Sequence, residues 1–256
     1  MQFSTRYILG FALVLCLISS TLLSITAVSL RGKQETNRQL DKKKSVLMAC
    51  NISKPEKSEL SDAEWIAEEF ATFEAQIVNL STGEVVATGE EADSFDPDLI
   101  ERIPVETNPA QIVDVPKEVR VFHRKDENGK LDTIVFPIYG KGLWSTMKGF
   151  LAVKADLNTI YGITYYSHGE TPGLGGEVDN PKWKAHWPNR KIFDADGKVA
   201  IKVIKGSAGP QAQDPHSVDG LSGATITSRG VGAMMQYWFS DKGYGPYLKK
   251  LQEGKA

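Results

Sequence analysis

Cysteine is nearly missing from this chain. Two are present in 256 residues, Cys16 inside an apolar run and Cys50 well beyond its end, which excludes a disulfide framework or a cysteine-ligated cluster. Histidine is almost as scarce. His123, His168, His186 and His216 stand far apart without ligand spacing, so no metal site is expected. An excess of positive charge is lacking too: 30 Lys and Arg face 32 Asp and Glu, for a formal net charge of -2. A nucleic-acid partner is therefore not expected.

What the chain does have, first, is a long apolar run. Tyr7 to Leu30 holds 24 residues without a charge, which at ~1.5 Å per residue makes about 36 Å of helix and spans a bilayer. A cleaved signal peptide would have a shorter apolar core and a small-residue cleavage site. Neither is found, and the bulky Leu15 argues against a lipoprotein site at Cys16, so residues 1–33 are read as an uncleaved transmembrane anchor. The run contains Ser19, Ser20, Thr21, Ser24 and Thr26 but no Asp, Glu, Lys, Arg or His. Such a helix can pack against neighbours, yet it offers no ion relay of its own. Arg31, Lys33, Arg38 and Lys42 to Lys44 follow the span while Arg6 precedes it, and charge counting puts the following residues in the cytoplasm.

Residues 34–62 read as stalk and linker, with a helix continuing off the membrane to about residue 50 and Pro55 ending the pattern. Residues 63–256 then form one domain, large enough for its own core. It opens with a helix around Trp65, Ile66, Phe70 and Phe73. Glu74 to Leu80 and Val85 to Thr88 make a hairpin, and Glu118 to Arg124 and Leu131 to Tyr139 flank Asp126-Glu127-Asn128-Gly129 in a second one with stronger turn chemistry. Asp93 to Pro116 reads as an irregular loop. Gly149 to Lys154 and Ile160 to Ser167 add strands, and Val199 to Ile204 alternates like an edge strand. Trp183, His186 and Trp187 fit a packed helix covering the sheet. The expected class is α+β, a single N-terminal transmembrane helix followed by one soluble domain with a mainly antiparallel sheet and flanking helices.

Three stretches carry chemistry. In Asp219-Gly220-Leu221-Ser222-Gly223-Ala224-Thr225-Ile226-Thr227-Ser228-Arg229, hydroxyls crowd around two residues with almost no side chain. Val231, Met234, Met235, Trp238 and Phe239 then follow at helical spacing, so a helix begins at about Ser228. Open N–H groups and the positive end of the helix dipole favour a phosphate there, although an ordinary Ser/Thr cap has the same composition. Gly140-Lys141-Gly142-Leu143-Trp144-Ser145 sets flexible backbone beside a large aromatic, and reads equally as a hairpin loop with a core tryptophan. His168-Gly169-Glu170-Thr171-Pro172-Gly173-Leu174-Gly175-Gly176 has four glycines in nine residues and bares backbone polar groups to a flat ligand.

Asp-x-x-Ser-Gly-Ala-Thr-x-x-Ser resembles the signature of the FMN-binding domain family, in which flavin mononucleotide is joined through its phosphate to a threonine. The resemblance implies that Thr225 is the acceptor, with Ser222, Gly223, Ala224, Thr227 and Ser228 around it, and that a flavin transferase using FAD recognises Asp219 and Ser222. Glu-Thr-Pro-Gly-Leu-Gly resembles the family's second motif, near the ring. It implies that Glu170, Thr171, Leu174 and Gly175 are flavin neighbours, joined by Trp144 and Ser145. No residue is assigned as catalytic, because a flavin that relays electrons does its own chemistry.

With one span and a domain of this length, the chain looks like a member of the C-subunit family of Na+-translocating NADH:quinone oxidoreductases. That implies an electron-transport flavoprotein of the bacterial inner membrane, in contact with lipid. Its soluble domain would lie in the periplasm, against the charge count, because large domains can be exported regardless of flanking charge. Its partners would be the other subunits, which hold the NADH and ubiquinone sites, and the transferase during maturation. The alternatives are the G subunit of an Rnf-type electron-transport complex, which carries the same motif, and a membrane-anchored ligand-binding domain without redox work.

Overall fold

A computed structural model describes residues 4–93, 95 and 100–254 of the chain; the ends of the expected anchor and domain, and part of the expected loop at 93–116, fall outside them. The first helix, α1, runs from Thr5 to Ala49 without a break. Its apolar part is the one described helix long and apolar enough to cross a membrane, with a mean hydropathy of 2.5 over its best window. Inside that part the hydroxyls of Ser20, Thr21 and Thr26 donate to carbonyls one turn back. Hydroxyls satisfied within their own helix cost little in lipid.

Two compact units divide the chain, with the boundary between Lys42 and Lys43. Val46, Leu47, Ala49 and Cys50 are buried in the second unit, which therefore starts well before the position 63 suggested by composition. Isolated apolar residues in a polar run look like a stalk in one dimension; only the fold shows what they pack against. Burial pushes the Cys50 thiol up to about 12, which leaves it protonated and unreactive.

In the second unit, α2 (Asp62–Phe70) starts with a capping box in which Ser61 and Glu64 satisfy each other's backbone N–H. The elements that follow are β1 (Phe73–Asn79), β2 (Val85–Thr88), α3 (Glu90–Asp93), β3 (Arg102–Pro104), β4 (Asp114–Pro116), β5 (Glu118–Lys125), β6 (Leu131–Lys141), β7 (Thr146–Lys154) and β8 (Ile160–Ser167). A 3-10 turn spans Gly175–Asp179, and α4 (Pro181–Lys184), β9 (Lys202–Val203), β10 (Ser217–Val218), α5 (Thr225–Trp238) and α6 (Gly245–Gln252) complete the chain. The main sheet has six antiparallel strands in the order β2-β1-β5-β6-β7-β8, and the class is the expected α+β. In the β5–β6 turn the Asp126 carboxylate accepts from the N–H groups of Asn128 and Lys130, and Gly129 takes a positive φ of 75°.

Several elements differ from expectation. Phe73, expected in the first helix, is the first residue of β1, and α4 stops at Lys184, so His186 and Trp187 follow it rather than belong to it. The stretch expected to be irregular contains the β3–β4 pair, tied down by an Arg102–Asp114 ion pair and by Tyr139 donating to the Asp114 carbonyl at 2.7 Å. Of Val199 to Ile204 only Lys202 and Val203 form a strand, and it pairs in parallel with β10 rather than joining the main sheet. The helix expected from about Ser228 already begins at Thr225.

Both faces of the sheet are covered. On one face α5 lies across β6: Trp238 Nε1 donates to the Tyr139 carbonyl at 2.7 Å, Tyr244 donates to the Pro137 carbonyl at 2.6 Å, and Phe136 packs edge-on against Phe239. Trp183 and Trp187, both buried, join this core. On the other face Phe70 of α2 meets Phe122, which meets Phe150. Gly162 lies close under the Ala49 carbonyl. With about 1.5–3 kcal/mol for each large apolar side chain taken out of water, this double layer fixes the sheet on which the turn at residues 142–145 and the start of α5 meet.

Candidate functional site

Glu170 is the hub of the site. It follows β8 in the glycine-rich loop, and only 5% of it is exposed. Its Oε1 accepts from the Trp144 N–H at 3.0 Å, the Ser145 N–H at 3.2 Å and the Ser145 hydroxyl at 3.3 Å. Its Oε2 accepts from the Leu143 N–H at 3.0 Å and from the Thr227 hydroxyl at 2.6 Å. Burial alone would raise the carboxyl pKa; the Thr227 hydroxyl and the backbone N–H groups of residues 143–145 outweigh it and hold the group below the usual carboxylate range. The side chain is thus an anion with its lone pairs engaged by the protein.

Its neighbours are fixed in turn. The Ser145 hydroxyl accepts from the Gly169 N–H at 2.7 Å, and the Glu170 N–H donates to His168 Nδ1 at 3.2 Å while His168 Nε2 lies 2.7 Å from Asp179. Two glycines let the backbone close in. A β-carbon at Gly142 would stand 2.5 Å from Glu170 Oε1, and one at Gly175 would stand 2.6 Å from the Thr227 hydroxyl. Neither close approach can be read from a glycine count alone.

The start of α5 is built differently from its composition. Thr227 and Ser228 are buried: the first donates to Glu170, and the second accepts the Leu221 N–H at 2.9 Å. Ser222, Gly223 and Thr225 are exposed. The cap residue Ala224 makes no side-chain cap, and the first turn holds no acidic side chain, so neither occupies the N–H groups that a helix leaves open at its start. Gly223 adopts φ 70°, and a β-carbon there would come 3.0 Å from the Leu174 side chain. The two motifs are therefore in contact.

Asp219 lies to one side of this. Its carboxylate accepts the Ala208 N–H at 2.9 Å and the Ser207 hydroxyl at 3.2 Å, its carbonyl accepts Trp183 Nε1 at 2.8 Å, and His186 Nδ1 stands 3.3 Å away. The Thr171 side chain is exposed, while its carbonyl closes the glycine-rich loop by accepting from Leu174 and Gly176. Trp144 is 67% exposed, so it is not a core tryptophan. Leu143 at 43%, Leu174 at 44% and Ile226 at 54% are exposed as well. Leu143 and Ile226 have no role assigned from the sequence; the one signal there is adjacency, Leu143 to Trp144 and Ile226 to Thr225.

A model of the FMN-binding domain matches residues 142–240, the span from the turn beside Trp144 to the end of α5. Over its full length the chain is 41% identical to the C subunit of the Na(+)-translocating NADH-quinone reductase of Pseudomonas aeruginosa, covering 99% of that protein. It is 39% identical to the protein of the same name from Yersinia pestis, over 94% of this chain and 91% of that one. Among solved structures, NqrC of Shewanella oneidensis aligns with a TM-score of 0.75 at 34% identity, over 86% of this chain and 99% of that one.

Proposed function

We propose, for a chain that belongs to the C-subunit family of the Na(+)-translocating NADH-quinone reductase, that FMN is held by a phosphoester on the Thr225 hydroxyl. The chain is a flavin-carrying electron-transfer subunit of that membrane complex, and the other subunits are its partners. The observation that carries the attachment is the exposed hydroxyl of Thr225 on the first residue of α5, at a helix start with neither a capping side chain nor an acid. Ester formation leaves one negative charge on the phosphate, which the helix start stabilises. A flat aromatic ring also suits the exposed side chains of Leu143, Trp144, Leu174 and Ile226, which no described core residue covers. Bound FMN would supply the redox chemistry, while this chain's residues would hold its phosphate and seat its ring.

A threonine hydroxyl is a weak nucleophile unaided, and no base stands beside Thr225 among the described contacts. This supports maturation by a separate transferase, with Ser222 exposed for recognition and Asp219 holding the adjoining loop in shape. The domain would face the periplasm from the inner membrane, and the NADH and quinone sites, like the Na+ path, would belong to other subunits. Similarity along the whole chain to members of the C-subunit family favours this assignment over an Rnf-type G subunit.

The test is a denaturing gel of the full chain made together with its transferase. The wild-type band should fluoresce as flavin and Thr225→Leu should not, with folding of the variant confirmed by circular dichroism. A fluorescent Thr225→Leu band, or a wild-type peptide of unmodified mass, would overturn the attachment.

A further inference from the structure

Glu170 was expected beside the flavin, yet its two oxygens face five donors of this chain and only 5% of it is exposed. Those donors come from the β6–β7 turn and from the first turn of α5, while Glu170 itself belongs to the glycine-rich loop. The four exposed apolar side chains sit on the same three segments: Leu143 and Trp144 on the turn, Leu174 on the loop and Ile226 on the helix. Leu143 and Trp144 give Glu170 their own N–H groups, and Ile226 precedes the Thr227 that gives it a hydroxyl.

We propose that Glu170 is a positioning residue for the flavin rather than a ligand of it: one carboxylate locks the turn at residues 142–145, the glycine-rich loop and the start of α5 in register, so that their apolar side chains form a single seat for the ring. The proposal rests on Thr225 as the anchor and says what holds the other end of the cofactor. A carboxylate is needed because every partner is a donor. A glutamine would set its NH2 against an N–H group on one side or the other, whichever way it turned, leaving a buried donor without an acceptor. Gly142 and Gly175 belong to the same device, since a β-carbon at either position would run into the carboxylate or into Thr227.

Amide hydrogen exchange on the full chain in detergent, prepared with and without its flavin, reads this directly. In Glu170→Gln the amides of Leu143, Trp144 and Ser145 should exchange at least about tenfold faster while those of the central strands keep wild-type rates, and the flavin of the loaded variant should show lower fluorescence anisotropy. Thr227→Val, which removes one donor and keeps the side-chain shape, should loosen the same amides to a smaller degree. Unchanged exchange at the three amides overturns the proposal. So does acceleration spread over the whole sheet, which would mean a general stabilising role, and so does a loosened turn with unchanged anisotropy. A wild-type chain without flavin on Thr225 would sink the anchor instead, an outcome separable because the exchange is also read on flavin-free protein.

Discussion

A single side chain can decide how this domain responds to acid. His123 is buried on β5, where Nε2 lies 2.7 Å from the Tyr247 hydroxyl, which also donates to Gln76 at 3.0 Å. Burial lowers its pKa from 6.5 to about 4, partly opposed by Glu74 and reinforced by Lys125. Between those values the unfolded chain binds a proton that the folded chain refuses, so stability rises with pH across that window and is lost as pH falls towards 4. The full effect is about 3 kcal/mol, at 1.36 kcal/mol per unit. Denaturant midpoints measured from pH 7 to pH 4.5 should fall for the wild type, and the slope should flatten in His123→Gln. Equal slopes would show that another group carries the dependence.

At the scale of elements, α5 and β6 fit together through glycine. A β-carbon at Gly230 would collide with the Lys141 carbonyl, and one at Gly140 would press on Met234. Alanine at position 230 gains helix propensity of up to about 1 kcal/mol, but overpacking a buried contact costs about 1–3 kcal/mol, and here the obstacle is backbone that cannot turn aside. Gly230→Ala should therefore lower the unfolding midpoint. It should also reduce the fraction of chains that acquire flavin, because the start of α5 would shift away from the turn at residues 142–145; a variant as stable as wild type would contradict the tight packing.

The same elements show what can be read in advance. The two hairpins were legible because apolar alternation and a strong turn at Asp126 to Gly129 are local signals. The apolar stripe from Val231 to Phe239 was legible for the same reason. The first turn of α5 was not, because Thr227 and Ser228 look like capping residues until their hydroxyls are seen engaged with Glu170 and Leu221. Nor was the pairing of Lys202 and Val203 with β10, since a parallel partner beyond the intervening loop leaves no local trace. In the site, motif residues could be picked out, but their division into buried framework and exposed surface could not: side-chain direction at a helix start depends on what the rest of the fold offers.

For the whole molecule, the boundary at Lys43 has a measurable meaning. A chain beginning at Lys43 loses the apolar span and keeps Val46 and Leu47, which are 1% and 0% exposed. One beginning at residue 63 loses both. With about 1.5–3 kcal/mol for each, the shorter form should be roughly 3–6 kcal/mol less stable, read as a lower urea midpoint. Equal midpoints would place the end of α1 outside the cooperative unit.

The position of Thr225 bears on how tightly the seat must grip. If FMN is anchored through its phosphate at Thr225 as proposed, its isoalloxazine would meet the side chains of Leu143, Leu174 and Ile226 at an effective concentration of about millimolar. Weak apolar contacts are then enough to keep it docked most of the time. A ring so anchored would lift and resettle without being lost to solution, a freedom that a dissociable cofactor would not have.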